Sequence, residues 1–354
     1  MNKAPDAFAA LALQVSCHAI NRIESIETVR LQMRGTIDYL ASLIHGSIGF
    51  VKSFSGLETK LVVLPEYFLT GFPMGESIKT WAQRACIAPN GAEYEKLAAI
   101  SQDNRLFLSG NVYELDENFP EIYFQTSFIL APNGDTVLRY RRLISMYSPT
   151  PHDFLDRYVN IYGEESLFPV ATTEIGNLAA VASEEILFPE ITRALALRGA
   201  EIICHSSSEV GSPQTTPKQI AKKGRAYENM AYIVSANSAG IEGIHIPSAS
   251  TDGGSMIVDY TGSVLAEADT GESMCANSKI DLAALRGARM RPGMVNMLSR
   301  QRLELFANTY NCHSIYPANN MLSEEPSDAP TRKHFESTQQ AAIARLVEKG
   351  IIPI

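Results

Sequence analysis

The chain has 354 residues, a formal net charge of −9 and 45% hydrophobic residues, a composition typical of a globular protein. The acidic balance argues against nucleic-acid binding, which needs basic groups to neutralise phosphates, and the apolar runs are too short to span a membrane. Five cysteines without CxxC spacing favour free thiols in a reducing cytoplasm over disulfides or a zinc site, and we expect no secretory signal.

The first half of the chain alternates strand and helix patterns. Residues 8–16 are an apolar run of strand length, and Asn21 and Glu24 have the spacing of a capping box that starts a helix. Apolar residues then recur every three or four positions, as on one face of a helix. The elements predicted next are a strand at 60–66, a helix at 93–102, a strand at 105–114 and a hairpin at 123–142.

The second half of the chain repeats this order. The elements predicted there are a strand at 178–183, a helix from Pro189 to Gly199, a strand at 201–206, a helix at 216–230, a strand at 231–237 and a hairpin at 255–268. Because the order of strand, helix, strand and hairpin occurs twice, we predict an α/β domain. It should contain two mixed sheets with helices outside each, a four-layer α-β-β-α sandwich.

The composition changes from about residue 310. Residues 323–330 resemble a linker, and residues 335–350 predict a terminal helix whose apolar stripe must be buried. We therefore divide the chain into a domain at 1–309 and a C-terminal extension at 310–354. The extension packs either on a partner subunit, which we favour, or on the chain's own core.

Three residues that follow predicted strands could carry chemistry. Glu66 stands directly after an apolar strand and a proline, at a strand edge where α/β folds place reactive groups. Arg142 ends the first hairpin, and Ser183 lies in the turn before the helix that starts at Pro189. Each also has an ordinary interpretation, as a helix-capping acid, a surface charge and an N-cap serine respectively.

Together these segments resemble the nitrilase superfamily of carbon–nitrogen hydrolases over about residues 8–306. The family's P-E-x-x-x-x-G motif matches Pro65 to Gly71, and its Y-R-K motif corresponds to Tyr140-Arg141-Arg142. Its nucleophilic cysteine, five residues before F-P-E, corresponds to Ser183. Supporting matches are Gly110 in "SGNVYE", "RAYENMAYIVSAN" (225–237) and "GGSMIVDYTG" (253–262).

The resemblance implies a catalytic triad with two substitutions. In the family the cysteine attacks an amide or nitrile carbon, the glutamate takes its proton and the lysine stabilises the oxyanion. Here these roles would fall to Ser183, Glu66 and Arg142. Arginine keeps the cation but cannot give up its proton, and a serine hydroxyl ionises far less readily than a thiol and needs a well-placed base. An engineered knock-out could account for Ser183 alone, whereas two changes favour a natural lineage.

Five further residues are candidates for substrate binding. Asp153 could supply the additional acid that the family often places in this loop, and His152 could be the base that Ser183 needs, although both could simply build a turn. Tyr67 and Glu184 adjoin the predicted triad, Tyr67 as either a pocket or a core aromatic. His205 lies near the family's pocket rim by resemblance, and a structural role is the stronger interpretation.

Three functions remain open at this point. The first is hydrolysis of a small amide, nitrile or carbamoyl compound. The second is binding of a small carboxylate or amide without chemistry, with Arg142 as an anion clamp. The third is a lyase or hydratase reaction with Glu66 as base. We expect no metal and no cofactor, because phosphate-loop, metal-cluster and dinucleotide motifs are missing from the sequence. By resemblance we expect a homodimer or higher homo-oligomer.

Overall fold

The computed structural model describes residues 6–321 and 331–353, so the predicted linker at 323–330 lies outside the described residues. The strands are β1 Phe8–Ala12, β2 Val15–His18, β3 Thr59–Val63, β4 Phe107–Glu114, β5 Phe124–Leu130, β6 Thr136–Arg141, β7 Ala171–Thr173, β8 Gly176–Ala182, β9 Ile202–Ser206, β10 Tyr232–Ala236, β11 Ser238–Glu242, β12 Met256–Val258, β13 Val264–Glu267 and β14 Asn277–Ile280. The helices are α1 Ile26–Ser55, α2 Ile78–Ala85, α3 Ala92–Asn104, α4 Leu155–Tyr162, α5 Pro189–Leu197, α6 Pro217–Asn229, α7 Leu282–Met290, α8 Glu304–Asn311 and α9 Arg332–Glu348. Within these ranges, no helix combines the length and the apolar character that crossing a membrane requires.

Two six-stranded sheets dominate the described part of the chain, beside a small sheet of β2 and β11. The strand order is β14-β1-β3-β4-β5-β6 in the first sheet and β13-β12-β10-β9-β8-β7 in the second. Each sheet has three parallel strands at its centre and antiparallel strands on both sides. The two sheets thus share one topology, which agrees with the repeated order of elements in the sequence.

The sheets pack face to face between two layers of helices. Side chains of β3 alternate between the two sides of the first sheet, as strand geometry requires. Leu61 and Val63 belong to the apolar cluster that joins the sheets and also includes residues of α5 and α6. Val62 and Leu64 belong to a second cluster, beneath α1 and α3. The predicted α-β-β-α sandwich is confirmed.

Helix α1 begins later than the capping-box pattern predicts. The N-cap is Ser25, whose Oγ accepts a hydrogen bond of 3.4 Å from the Thr28 N–H. The prediction for Asn21 is wrong, because its side chain instead donates to the Phe72 carbonyl at 3.0 Å. The predicted apolar stripe is buried apart from Ile26; its buried members are Val29, Met33, Ile37, Leu40 and Ile44.

The C-terminal extension contacts its own chain. Helix α8 runs across the predicted boundary at 309/310. The N–H groups of Asn319 and Met321 donate to the carbonyls of His152 and Asp153, each at 3.0 Å. Phe335 of α9 is only 2% exposed and joins the apolar cluster under α1. The chain's own core therefore covers this face of α9, and the partner interface stays a prediction.

Replacing Phe335 by alanine should loosen α9. Truncating a buried phenylalanine costs about 3–5 kcal/mol, so we expect a lower melting temperature and faster amide exchange in α9. Ile343→Ala is the matched control, since Ile343 is exposed on the same helix, and it should change stability by less than about 0.5 kcal/mol. Equal effects of the two variants would contradict docking through Phe335.

Candidate functional site

The predicted triad residues lie just beyond strand ends. Glu66 follows β3, Arg142 follows β6 and Ser183 follows β8. The two sheets are tied together at this edge, because Ser206 Oγ at the end of β9 donates to the Leu64 carbonyl after β3 at 2.8 Å. Loops from both sheets therefore meet at one end of the sandwich.

Two residues at this edge have left-handed backbone. Ser183 has φ 47° and opens the 3-10 helix Ser183–Leu187, while Tyr67, directly after Glu66, has φ 61°. Residues other than Gly and Asn rarely adopt this backbone conformation, and such strain is common at active sites. The turn at Ser183 resembles a nucleophile elbow, in which a tight strand-to-helix turn presents a hydroxyl.

Arg142 binds two carboxylates at once. Its Nη1 donates to Glu66 Oε1 at 3.3 Å and to Gln125 Oε1 at 2.7 Å. Its Nη2 donates to Glu184, and its Nε donates to the Ile144 carbonyl at 2.8 Å. Four of the five guanidinium N–H groups thus have acceptors in the described chain.

This ion-pair network joins two of the predicted triad residues, Arg142 and Glu66. Burial opposes the charge of Arg142, yet the carboxylates of Glu66 and Glu184 raise its pKa above the usual value. Among the described residues the Ser183 hydroxyl has no hydrogen bond to Glu66 or Arg142, so the network reaches Ser183 only through its sequence neighbour Glu184. Gln125 is a linker that sequence reasoning missed; its Nε2 donates to Glu66 Oε1 at 2.7 Å. Gln125 shares the buried strand β5 with the polar Thr126 and Ser127, so its sequence context gave no signal of this contact.

The Ser183 hydroxyl contacts a lysine that sequence reasoning also missed. Lys218 Nζ lies 3.1 Å from Ser183 Oγ. Lys218 stands in the first turn of α6, whose N-cap is Thr216. A cation there opposes the helix dipole, and this local conflict was the signal in the sequence.

His205 supports the backbone of the serine turn. It is fully buried, with Nε2 at 2.8 Å from the Ser183 carbonyl and Nδ1 at 2.9 Å from Ser235 Oγ. A carbonyl can only accept, so Nε2 carries the proton, and burial lowers the pKa of His205 well below its usual value. Both ring nitrogens of this neutral imidazole are occupied, so the structural interpretation is favoured over substrate binding.

Glu185 organises the site in a way that the sequence did not reveal. Its Oε1 accepts from the Tyr140 hydroxyl at 2.7 Å and from the N–H groups of Leu143 and Ile144 at 2.7 and 3.2 Å. Burial, opposed mainly by the charge of Arg142, raises the pKa of Glu185 to about 7. One carboxyl group thus fixes the Arg142 loop against the Ser183 turn.

His152 and Asp153 build a turn. Asp153 Oδ2 accepts from the N–H and the hydroxyl of Thr150 at 2.9 and 2.8 Å, which is a capping box at a short helix. The backbone carbonyls of both residues accept hydrogen bonds from N–H groups of the C-terminal extension. Burial lowers the pKa of His152, and these contacts favour the turn-building alternative over a role beside Ser183.

Tyr67 and Glu184 are half-buried at the site. The Tyr67 ring lies 5.0 Å from that of Phe72 and 6.5 Å from that of Tyr113, measured between centroids. Burial, followed by the Glu66 carboxylate, raises the pKa of Tyr67 well above its usual value. Tyr67 is therefore an aromatic wall beside Glu66, and the Glu184 carboxylate is held by Arg142.

Sequence comparisons place this chain in a known family. Residues 31–290 match the family described as carbon–nitrogen hydrolase. A probable nitrilase of Schizosaccharomyces pombe is 24% identical over 64% of this chain and 78% of its own length. A formamidase of Bacillus cereus is 27% identical, and the match spans 60% of each protein.

Solved structures with a similar fold include a member of the nitrilase superfamily and an amidase. Nit3 of Saccharomyces cerevisiae, a member of the nitrilase superfamily, has a TM-score of 0.61 at 19% identity, over 81% of this chain and 96% of its own. A double mutant of the amidase from Nesterenkonia sp. AN1, in complex with acrylamide, has a TM-score of 0.56 at 20% identity, over 87% of this chain and 98% of its own. From the family match over most of its length, the chain belongs to the carbon–nitrogen hydrolase family of the nitrilase superfamily.

Proposed function

We propose that this protein hydrolyses a carbon–nitrogen bond in a small amide, nitrile or carbamoyl compound, with Ser183 as nucleophile. The observation that carries the proposal is the left-handed turn at Ser183, which holds the serine where the family motif has its cysteine. Its hydroxyl is hydrogen-bonded to a half-buried amine beside the Glu66–Arg142 ion pair. A turn kept in this strained form is typical of a working nucleophile.

For an amide, the reaction has two stages. Ser183 Oγ bonds to the carbonyl carbon while its proton passes to a base, and the carbon–nitrogen bond breaks as the amine takes up a proton. Water then attacks the ester, the acid product leaves and the hydroxyl is restored. The Glu184 N–H can donate to the oxyanion, because the first N–H groups of a 3-10 helix have no acceptor within it.

Arg142 is better placed to hold Glu66 than to clamp a ligand. Bidentate binding of a carboxylate needs two free N–H groups, whereas four of the five already have protein acceptors. The ligand-binding alternative is therefore less well supported. A lyase or hydratase would use Glu66 as base; its Oε1 accepts from both Gln125 and Arg142, which leaves the buried Oε2 as the carboxylate oxygen without a partner among the described residues.

Ser183→Ala should lower the turnover rate by at least about three orders of magnitude, because the variant has no nucleophile. The measurement is release of ammonia or amine from a panel of aliphatic amides, nitriles and carbamoyl compounds. An acyl group on the Ser183 peptide should appear by mass spectrometry in the wild type. Ser263→Ala, an exposed serine in the β12–β13 turn, is the control. Unchanged turnover in Ser183→Ala, without an adduct in the wild type, would refute the proposal.

A further inference from the structure

The first turn of α6 places the Lys218 side chain beside the Ser183 hydroxyl. A capping box between Thr216 and Gln219, with Pro217 at the first helical position, fixes the first turn of α6. From this turn the lysine side chain reaches Ser183 Oγ at 3.1 Å. The distance is within the hydrogen-bond reach that a base must have to its proton.

The surroundings of Lys218 favour a neutral amine more than a surface site would. Burial lowers the pKa of Lys218, against the opposing charges of Glu66, Glu209 and Glu184, and the Arg142 cation adds to the lowering. The positive end of α6 acts in the same direction. Glu209 is engaged by a different lysine of α6, since Lys222 Nζ lies 3.2 Å from its Oε2.

Two other candidate bases, His205 and Glu66, make no hydrogen bond to the Ser183 hydroxyl within the described part of the chain. His205 is buried behind the turn, and both of its ring nitrogens bind protein groups. Glu66 Oε1 accepts from Gln125 Nε2 at 2.7 Å and from Arg142 Nη1 at 3.3 Å, and its buried Oε2 has no partner among the described residues. Among the residues that the structure describes, Lys218 is the basic group hydrogen-bonded to Ser183 Oγ.

We propose that Ser183 and Lys218 form a serine–lysine dyad, in which Lys218 is the general base and general acid of the hydrolysis. The neutral amine takes the Oγ proton as the oxygen–carbon bond forms, and the resulting ammonium gives that proton to the leaving nitrogen as the carbon–nitrogen bond breaks. In the second half Lys218 takes a proton from water and returns it to Ser183 Oγ as the ester opens. The dyad rests on the proposed function and assigns the base that Ser183 requires.

The dyad can be tested without knowing the natural substrate. The probe is p-nitrophenyl acetate, because p-nitrophenolate leaves without a proton and the acylation rate then reports on activation of Ser183. Lys218→Met and Lys218→Arg should both slow acylation by about 10²–10⁴-fold, the usual contribution of a general base. Arginine keeps the charge but cannot accept the proton, so a merely structural role would spare Lys218→Arg. Lys223→Met, an exposed lysine of the same helix, is the matched control.

A pH profile separates proton transfer from support of the turn. The wild-type acylation rate should rise with pH and level off below the usual pKa of lysine, since only the neutral amine works. Lys218→Cys treated with 2-bromoethylamine regains a less basic lysine analogue. Activity should return with its profile shifted to lower pH. Treated wild type controls for the exposed Cys275 and Cys312.

The possible outcomes distinguish the dyad from the proposed function. Wild-type rates in Lys218→Arg, or a rescued variant with an unshifted profile, would refute the dyad and leave Ser183 as nucleophile. Absence of acylation at Ser183 in the wild type would refute the proposed function, and the dyad with it.

Discussion

Arg142→Ala should lower the free energy of unfolding by about 3–5 kcal/mol, the usual cost of removing one partner of a buried ion pair while the other stays buried. The Glu66 side chain is fully buried and would lose its cation. Glu184, Gln125 and the Ile144 carbonyl would lose donors as well. The measurement is the midpoint of denaturant unfolding at constant m-value.

Two comparisons test the electrostatic origin of this loss. Lys52→Ala removes an exposed partner of Glu58 and should cost far less, because solvent screens an exposed ion pair. Adding Glu66→Gln to Arg142→Ala removes the stranded charge and should restore part of the stability, which a double-mutant cycle measures. A loss in Arg142→Ala no larger than in Lys52→Ala would show that the buried pair does not stabilise the fold.

The fold was largely predictable because its signals are local and repeated. Apolar runs, turn residues and helix stripes recur in one order in both halves of the chain, and each sheet carries three parallel strands with antiparallel neighbours. The error at Asn21 has a simple cause. Asn21 and Ser25 are both good N-cap residues, and the choice between them depends on the distant Phe72 carbonyl.

The predicted triad positions came from motif spacing, whereas their partners did not. Gln125, Glu185 and Lys218 reach the site from elements that lie far apart in sequence, and which element they face is set by the packing of the two sheets. Each of them breaks a local rule, as a polar residue in a buried strand, a fully buried acid or a cation at a helix start. Such conflicts are expected at functional sites. The cation of Lys218 at a helix start is visible in the sequence, whereas the burial of Gln125 and Glu185 appears only in the structure.

Glu185→Ala should also destabilise the protein, by several kcal/mol. Its Oε1 is the shared acceptor of the Tyr140 hydroxyl and of the Leu143 and Ile144 N–H groups. Each buried donor left without an acceptor costs about 1–3 kcal/mol. Thermal unfolding measures the loss. Glu185→Gln is the matched control, because an amide oxygen can accept the same three hydrogen bonds.

The wild type and Glu185→Gln should also differ in how their stability depends on pH. The folded pKa of Glu185, about 7, lies above its ordinary value of 4.5, so the folded protein binds more protons in this range. The wild type should therefore lose stability as the pH rises from about 5 to about 8, relative to Glu185→Gln. Each tenfold change in the ionisation constant is worth about 1.4 kcal/mol, so the difference should reach a few kcal/mol.

The comparison isolates Glu185, since the two proteins share every other titrating group. In the wild type the Ala182 N–H donates to Glu185 Oε2 at 3.4 Å. In Glu185→Gln the side-chain amide places its own N–H near this donor. That cost is the same at every pH and leaves the slope unaffected. Parallel stability curves for the two proteins would mean that Glu185 ionises in the fold as readily as in the unfolded chain. The buried carboxyl group would then not couple the Ser183 turn to pH.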